Sequence, residues 1–369
     1  MKIAFVVHDF DPGFGQGCYV VELARRFASR HDVHVLARRF AAPWEPNVTR
    51  LRIPAARRSA LLTIHTFIRP AETRLRARHF DIIHAQGVTC WRANVITAHI
   101  CNAARPPGES GAIPLKRRLF RALTSRLERR FYRANPQARL IGVSGVVADE
   151  IQRHYQTPAR PAIIHHGVDT DHFHPPCGPV EKAMTRARYG VPEQGWLWLF
   201  AGEAVKGLAT VLRQLPAFPA AHLLVISRSD LRPFRQLAVQ LGVVARACFH
   251  GPETDLRPAY QAADVFVYPS SYDAFGLVVA EAMASGLPVI AGRTIGAAEW
   301  IDHGGNGLLC DAASDDSVRA QLARLATEPP LARALGEAAR HTTQAHSWDA
   351  CARATLAVYE SALAQGPLR

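Results

Sequence analysis

A strand–helix alternation runs along this chain, stops, and starts again, and that pattern limits it to a few folds. Short apolar runs at 3–7, 33–37, 81–84, 95–99 and 140–143 alternate with amphipathic stretches such as 19–29. A second series has apolar runs at 196–201, 223–227, 248–250, 265–268 and 289–291, with helical spacing from Leu208 and over 234–241. Strands alternating with helices predict a parallel sheet covered on both faces, and two series predict two doubly wound α/β domains. Between them, A-I-I-H-H-G-V-D-T-D-H-F-H-P-P (162–176) is rich in His, Pro and Gly without helical periodicity, and reads as the linker. The tail over 348–364 has helical spacing. Ligands bind such folds at the carboxyl ends of the strands, so two domains predict a central cleft.

Composition narrows the classes. The 369 residues suffice for two cores, and with 48% hydrophobic and 20% charged residues they suit a soluble globular protein. No apolar run approaches the ~18 residues of a membrane span, and the first run, soon broken by charge, reads as a buried strand rather than a leader. Seven scattered cysteines without a C-x-x-C pair read as buried thiols of a reducing cytosol, not as a zinc site. The net charge of +13 is one-sided: residues 1–165 hold 27 Lys+Arg against 11 Asp+Glu (+16), and 166–369 hold 17 against 20 (−3). A basic half predicts an anionic partner, unless arginine only decorates solvated faces.

The stretch S-S-Y-D-A-F-G-L-V-V-A-E-A-M-A-S-G (270–286) carries the sharpest chemistry. Asp273 and Glu281 flank a Phe-Gly turn that opens a helix, where unpaired N–H groups and the positive dipole end suit phosphate. Acids do not bind phosphate; they accept hydrogen bonds from hydroxyls on either side of it. Diphosphate between hydroxyls describes a nucleotide-sugar. The Phe275, Gly276, Leu277 and Val278 amides would meet the diphosphate, and Lys206, just past the run at 196–201, is placed to pair with it. A capped surface helix with ordinary acids is the alternative. Gly13, Gly15 and Gly17 form an early G-x-G-x-G loop, which is not the G-x-G-x-x-G dinucleotide fingerprint, and no acid ends the second strand, so a nicotinamide-dependent dehydrogenase is disfavoured. His99 ends its apolar run, at a carboxyl strand end.

A further candidate is P-L-K-R-R-L-F-R-A-L-T-S-R-L-E-R-R-F-Y-R (114–133). Leu115, Leu119, Leu123 and Leu127 recur every four residues, with Arg117, Arg118, Arg121 and Arg129 largely opposite. This predicts a basic amphipathic helix, which either meets an anionic membrane surface or an anionic acceptor, or buries its leucines in the core and solvates its arginines. Nucleic acid is not expected, because interleaved aromatics and a reader module are missing.

Taken in order, the Gly-rich loop, S-G-V-V-A-D-E (144–150), H-H-G-V-D-T-D-H-F (165–173), A-G-E-A-V-K-G (201–207), A-A-D-V-F-V-Y-P-S (262–270) and the stretch from 270 resemble the retaining glycosyltransferases of family 4 over nearly the whole chain. The resemblance implies a GT-B fold of two Rossmann-like domains facing a central cleft. Residues 1–165 would bind the acceptor, 166–345 the nucleotide-sugar, and 346–369 would form a helix returning to the first domain. It implies transfer of a hexose from a UDP- or GDP-sugar to a glycan or glycolipid hydroxyl with retention, without metal or other cofactor. The plan is similar to that of lipopolysaccharide-core enzymes, which implies a cytoplasmic protein, peripheral at the inner membrane face. Glu281 would hold the ribose; Asp273 and His99 would lie at the donor sugar as the catalytic pair; Lys206 and the amides of 275–278 would hold the diphosphate; Gly15 and Gln16 would approach donor phosphate and acceptor. Two positions depart from the family pattern: Asp273 stands where Glu is usual, and Glu203 where an arginine is usual, leaving Arg228 or Arg293 as substitute cations. A sugar-nucleotide or membrane-surface binding protein without catalysis is the second reading.

Overall fold

The computed structural model describes residues 1–41, 47–56, 60–104 and 115–364. Among these, 1–167 with 348–364 form one compact unit and 168–347 a second.

The first unit contains β1 (Lys2–Val6), β2 (Asp9–Phe10), α1 (Gly15–Phe27), β3 (Asp32–Ala37), β4 (Arg39–Phe40), β5 (Val48–Arg52), α2 (Ala60–Arg76), β6 (Ile82–Gln86) and β7 (Val95–Ala98). It continues with α3 (Leu115–Ala134), β8 (Arg139–Gly142), α4 (Gly145–Tyr155) and β9 (Ala162–Ile163). Its main sheet has the order β5-β3-β1-β6-β7-β8-β9, and its registered pairings are all parallel, with Ile3 opposite Val33 and Ile82. The central strands β1, β6 and β7 are buried on both faces, which is why they read as continuous apolar runs rather than alternating ones.

The second unit contains α5 (Pro179–Arg188), β10 (Trp196–Ala201), α6 (Leu208–Gln214), β11 (Ala221–Ile226), α7 (Arg232–Gln240), β12 (Ala247–His250) and α8 (Arg257–Ala262). Then come β13 (Val265–Tyr268), α9 (Leu277–Ala284), β14 (Val289–Gly292), β15 (Leu308–Cys310), α10 (Asp315–Thr327) and α11 (Pro329–Gln344). The sheet order is β12-β11-β10-β13-β14-β15, again all parallel. Winding runs outward from β10 to β12 and then reverses from β13 to β15, which makes the β10/β13 edge a switch point where ligands bind in such sheets. Its counterpart in the first unit lies between β1 and β6.

The last helix, α12 (Trp348–Leu363), belongs to the first unit and packs on α1. Tyr359 is fully buried, its ring 5.7 Å from Phe27 and its hydroxyl 2.8 Å from His84 Nδ1. Arg26 of α1 pairs with Asp349 at the other end.

Two expectations need correction. The first helix was expected over 19–29; α1 begins at Gly15, because Phe14 is the extended N-cap (φ −131°, ψ 136°) and Cys18 N–H already donates to its carbonyl. Gly15 and Gln16 therefore form the first turn of a helix rather than part of a loop. The second concerns α3. Leu115, Leu119 and Leu123 are 79%, 59% and 41% exposed while Leu127 is half-buried, so the core takes up at most the last member of this stripe. The covered side is Thr124, Glu128, Phe131 and Tyr132, with Glu128 accepting from Asn102 N–H (2.9 Å) and from the Tyr155 hydroxyl.

Docking of α12 sets a stability test. Tyr359→Ala opens an aromatic-sized void and costs about 3–5 kcal/mol, whereas Tyr359→Phe, which only strips His84 Nδ1 of its partner, costs about 1–2 kcal/mol. Urea unfolding midpoints at constant slope measure both.

Candidate active site

In the second unit the chain leaves β10 at Ala201 and turns through Gly202–Gly207 into α6. Gly207 has φ +109°, and a Cβ there would stand 2.6 Å from the Pro269 carbonyl oxygen, so only glycine lets this loop lie against the loop after β13. That approach brings Lys206 to Asp273: Nζ lies 2.8 Å from Oδ2, with side chains 28% and 15% exposed. Tyr268, the last residue of β13, donates its hydroxyl to the same Oδ2 at 2.9 Å. Burial, then the Asp273 charge, holds the Tyr268 phenol well above its usual range, so it remains a donor.

The backbone of this loop is pinned. Asp273 bridges Ile295, its carbonyl accepts Gly296 N–H at 3.0 Å, and the Phe275 carbonyl accepts Ala297 N–H at 2.6 Å. Gly276 caps α9 with φ +97° and ψ 60°. Among the described residues the Leu277 and Val278 amides at the helix start have no protein acceptor, while Val279 N–H returns to the Gly276 carbonyl. The Phe275 side chain points into the core, its ring 5.1 Å from Trp300, so only its main chain is available to a ligand. Glu281 sits one turn further on, half-buried. Its Oε2 is 2.8 Å from the Tyr260 hydroxyl, and that hydroxyl is 3.1 Å from the Val278 carbonyl. Burial raises the Glu281 carboxyl to about 7, helped by Asp255 and opposed by Tyr260.

Glu203 is exposed; Arg228 and Arg293 are exposed on the turns after β11 and β14, the strands flanking β10 and β13. Asp169, of the D-T-D segment, accepts from the Asp171 and His172 amides at 3.1 and 3.0 Å, a local turn that accounts for its carboxylate. Among the described residues no group of three or more His, Cys, Asp or Glu is placed to hold a metal ion.

In the first unit, Gln16 in the first turn of α1 donates Nε2 to the Gln86 carbonyl at 2.8 Å. The Gln86 side chain, at the end of β6, places Oε1 2.8 Å from His99 Nε2. With an amide oxygen there, Nε2 carries the ring proton and Nδ1 keeps its lone pair. His99 follows β7 and lies 5.2 Å from the Tyr19 ring and 5.6 Å from His166, which stacks on Trp348 at 5.9 Å. Burial, then His166 and His84, lowers the His99 pKa well below the usual imidazole value, so the ring is neutral near pH 7. On α3, Arg118 is exposed, while Arg121 and Arg129 reach back to the carbonyls of Ala104 (2.7 Å) and His154 (3.4 Å). The Arg117 side chain lies outside the described residues.

The chain is similar to known proteins. The family model for glycosyl transferases group 1 matches residues 182–342, and that for glycosyltransferase family 4 matches 15–172. The D-inositol 3-phosphate glycosyltransferase of Mycobacterium leprae (strain Br4923) is 31% identical over 322 residues, covering 79% of this chain and 72% of that protein. The chain belongs to the family 4, group 1 glycosyltransferases. Of the Streptomyces griseus protein of the same description it matches 258 residues at 33% identity, 62% of this chain, and there it spans only about half (55%) of the relative. WaaG, a glycosyltransferase involved in lipopolysaccharide biosynthesis, shares the fold with a TM-score of 0.83 at 23% identity, covering 97% of this chain and 99% of WaaG. Anabaena Alr3699/HepE, solved with UDP-glucose, has a TM-score of 0.74 at 17% identity, covering 98% and 100%. The two parallel-sheet units are thus those of the GT-B plan.

In this family member, sequence reasoning missed Tyr260, Tyr268 and Gln86. Gln86 and Tyr268 carried a signal, because each is a polar-tipped residue closing a largely apolar strand at its carboxyl end. Tyr260 carried none, since its six-residue helix shows no distinguishing period. The loop geometry has a testable consequence: Gly276→Ala forces a side chain into a left-handed conformation and lowers stability by about 1–2 kcal/mol, read by thermal unfolding.

Proposed function

We propose that the chain is a retaining, metal-independent hexosyltransferase that moves a hexose from a UDP- or GDP-sugar to a hydroxyl of a glycan or glycolipid. The observation that carries this is the Lys206–Asp273–Tyr268 contact beside the open amides of Leu277 and Val278. A lysine and two N–H groups at a helix start stabilise charge that grows on a departing diphosphate. The HepE structure with UDP-glucose on the same fold fits a nucleoside diphosphate donor. As the bond from the sugar to the phosphate oxygen breaks, the acceptor oxygen bonds to the same face of the anomeric carbon, and its proton passes to the departing phosphate. No side chain is required as general base on this route. Asp273 and the lone pair on His99 Nδ1 would take hydrogen bonds from donor-sugar hydroxyls, and Glu281 from the ribose. Gly15 and Gln16, at the start of α1, would stand near donor phosphate and acceptor.

On the acceptor side, the relatives are named for D-inositol 3-phosphate, a phosphorylated and therefore anionic compound. That suits a first half with a surplus of 16 positive charges. Exposed Leu115, Leu119 and Leu123, with exposed Arg118 and Arg126 three positions beyond Leu115 and Leu123, favour a glycolipid presented at an anionic membrane from the cytoplasmic side. Among the described residues no helix is long and apolar enough to cross a membrane, so surface contact is the mode proposed.

A screen of UDP- and GDP-hexoses against D-inositol 3-phosphate and core lipopolysaccharide acceptors, with products analysed by mass and anomeric configuration, tests the reaction. Lys206→Ala should lower kcat/KM by at least about a hundredfold, matching loss of one group that stabilises the leaving charge. Donor bound without transfer to any acceptor would favour the binding-protein reading. For the surface, Leu119→Asp with Leu123→Asp should cut sedimentation with anionic phospholipid vesicles severalfold and leave donor binding unchanged; equal sedimentation would overturn it.

A further inference from the structure

Tyr260 has one hydroxyl proton and two neighbours that can take it. Its oxygen lies 2.8 Å from Glu281 Oε2 and 3.1 Å from the Val278 carbonyl. A carbonyl only accepts. Both contacts are good hydrogen bonds at once only if Tyr260 donates to Val278 while Glu281 carries a proton of its own and donates it to Tyr260. If Glu281 is ionised, the hydroxyl turns to the carboxylate and the Val278 contact is given up.

The ring has no freedom to leave this place. Tyr260 is fully buried, edge-on to Phe173 and Phe266 at 5.8 Å each. Phe173 is itself fixed: its carbonyl accepts from Arg340 of α11 at 3.2 Å, and the same guanidinium nitrogen holds the Ala284 carbonyl at the end of α9. Thus the H-F end of the segment at 165–173, which sequence reasoning treated as linker, packs against the ring whose hydroxyl meets Glu281. The charged groups around Glu281 are few. Asp255, before α8, faces it as a like charge and is tied to His172 at 2.9 Å and Arg257 at 3.5 Å. Arg340 on α11 meets main-chain carbonyls rather than the carboxyl. No arginine or lysine is bonded to Glu281 among the described residues, so nothing but the Tyr260 hydroxyl stabilises its ionised form directly.

We propose that Tyr260 is the positioning residue for the Glu281 carboxyl, and that seating a nucleotide ribose on Glu281 displaces one proton to solvent. This rests on the nucleotide-sugar reading of the site. Two ribose hydroxyls that donate side by side call on both carboxyl oxygens as acceptors, which the carboxylate offers, and the tyrosine hydroxyl swings from Val278 to Glu281 as the proton leaves. Burial holds the free carboxyl near 7, and hydrogen bonds from the ribose lower it in the complex. The sign follows. Above the free-state value Glu281 is already ionised and affinity is flat; below it each bound nucleotide must expel a proton, and affinity falls as pH falls.

Titration calorimetry of the whole protein with UDP and with GDP, from about pH 6 to about pH 8, tests this. Affinity for the nucleotide that binds should rise about tenfold over that range, and below neutrality the heat should vary with the buffer's ionisation enthalpy as one proton is released. Tyr260→Phe keeps the ring and removes the hydroxyl, so it should weaken binding severalfold and move the pH limb to higher pH. Glu281→Gln should weaken binding and abolish the limb. A pH-independent affinity in the wild type, or an unmoved limb in Tyr260→Phe, overturns the proposal. Carbon NMR of Glu-labelled protein without ligand, with Glu281 assigned by its loss in Glu281→Gln, separates this from failure of the nucleotide reading. Titration near the ordinary glutamate value means the free carboxyl carries no proton to expel and overturns the proposed proton release. Titration near neutrality with neither UDP nor GDP bound supports the protonated free carboxyl and overturns the nucleotide reading instead.

Discussion

Parallel strand pairing is the constraint from which the rest follows. A parallel sheet sends every strand-to-helix turn out of the same edge, and doubly wound connectivity parts the covering helices where the winding reverses. In the second unit that edge lies between β10 and β13, and the two turns leaving it carry Lys206 and Asp273. These residues are far apart in sequence and 2.8 Å apart in space because adjacent parallel strands end side by side. In the first unit the reversal lies between β1 and β6; Gln86 closes β6, and Gln16, in the helix that follows β1 and β2, bonds to its carbonyl. The polar groups were delivered to these edges by topology, with no need for a separate scaffold.

The Asp273 carboxylate then shows how the loop after β13 holds an acid at that edge. Its backbone is fixed by Ile295 and Gly296, and Asp273, though one methylene shorter than Glu, still reaches both Lys206 and Tyr268. A partly exposed lysine–carboxylate pair is worth roughly 1 kcal/mol or less, so a doubly charged ligand can draw Lys206 away at small cost. Tyr268 would stay behind, and its donated proton would keep the Asp273 oxygen satisfied if the lysine moved to a ligand. A carboxylate with no second donor would be left desolvated and unpaired, which costs more than the pair itself.

The first unit uses the opposite device, neutral polar groups held by burial. His84 is enclosed between the Tyr359 hydroxyl (2.8 Å) and the Thr97 hydroxyl (2.7 Å), and burial lowers its pKa to about 3, as it does for His166. Imidazoles this close would repel if charged; kept neutral, His84 and His99 pack edge-on to Tyr19, His84 also edge-on to Tyr359, and His166 lies tilted against His99 and stacked on Trp348. Two of these aromatics, Trp348 and Tyr359, come from α12. The last helix of the chain is therefore part of what fixes the ring of His99, although it contributes no group to the proposed reaction.

How much of this could be read from the sequence depends on whether a feature is local. Strands buried on both faces print themselves as apolar runs, and a helix start beside two acids prints a local pattern, so β10 and β13 were legible and the candidate positions Lys206, Asp273 and Glu281 could be picked out one by one. Their contacts were not, because register between parallel strands is set across a crossover helix rather than along the chain. Tyr260 illustrates the limit: a tyrosine in a buried position looks like core, and only the position of one oxygen between an acid and a carbonyl distinguishes it. Helix α3 illustrates another. Periodicity shows that its leucines share a side, but the side a helix buries is decided by what packs against it, and here Glu128, Phe131 and Tyr132 face inward while Leu115, Leu119 and Leu123 do not. An amphipathic pattern is thus a statement about one helix, and burial is a statement about two elements; where the second element is not written in the neighbouring sequence, the pattern alone cannot choose between core and surface.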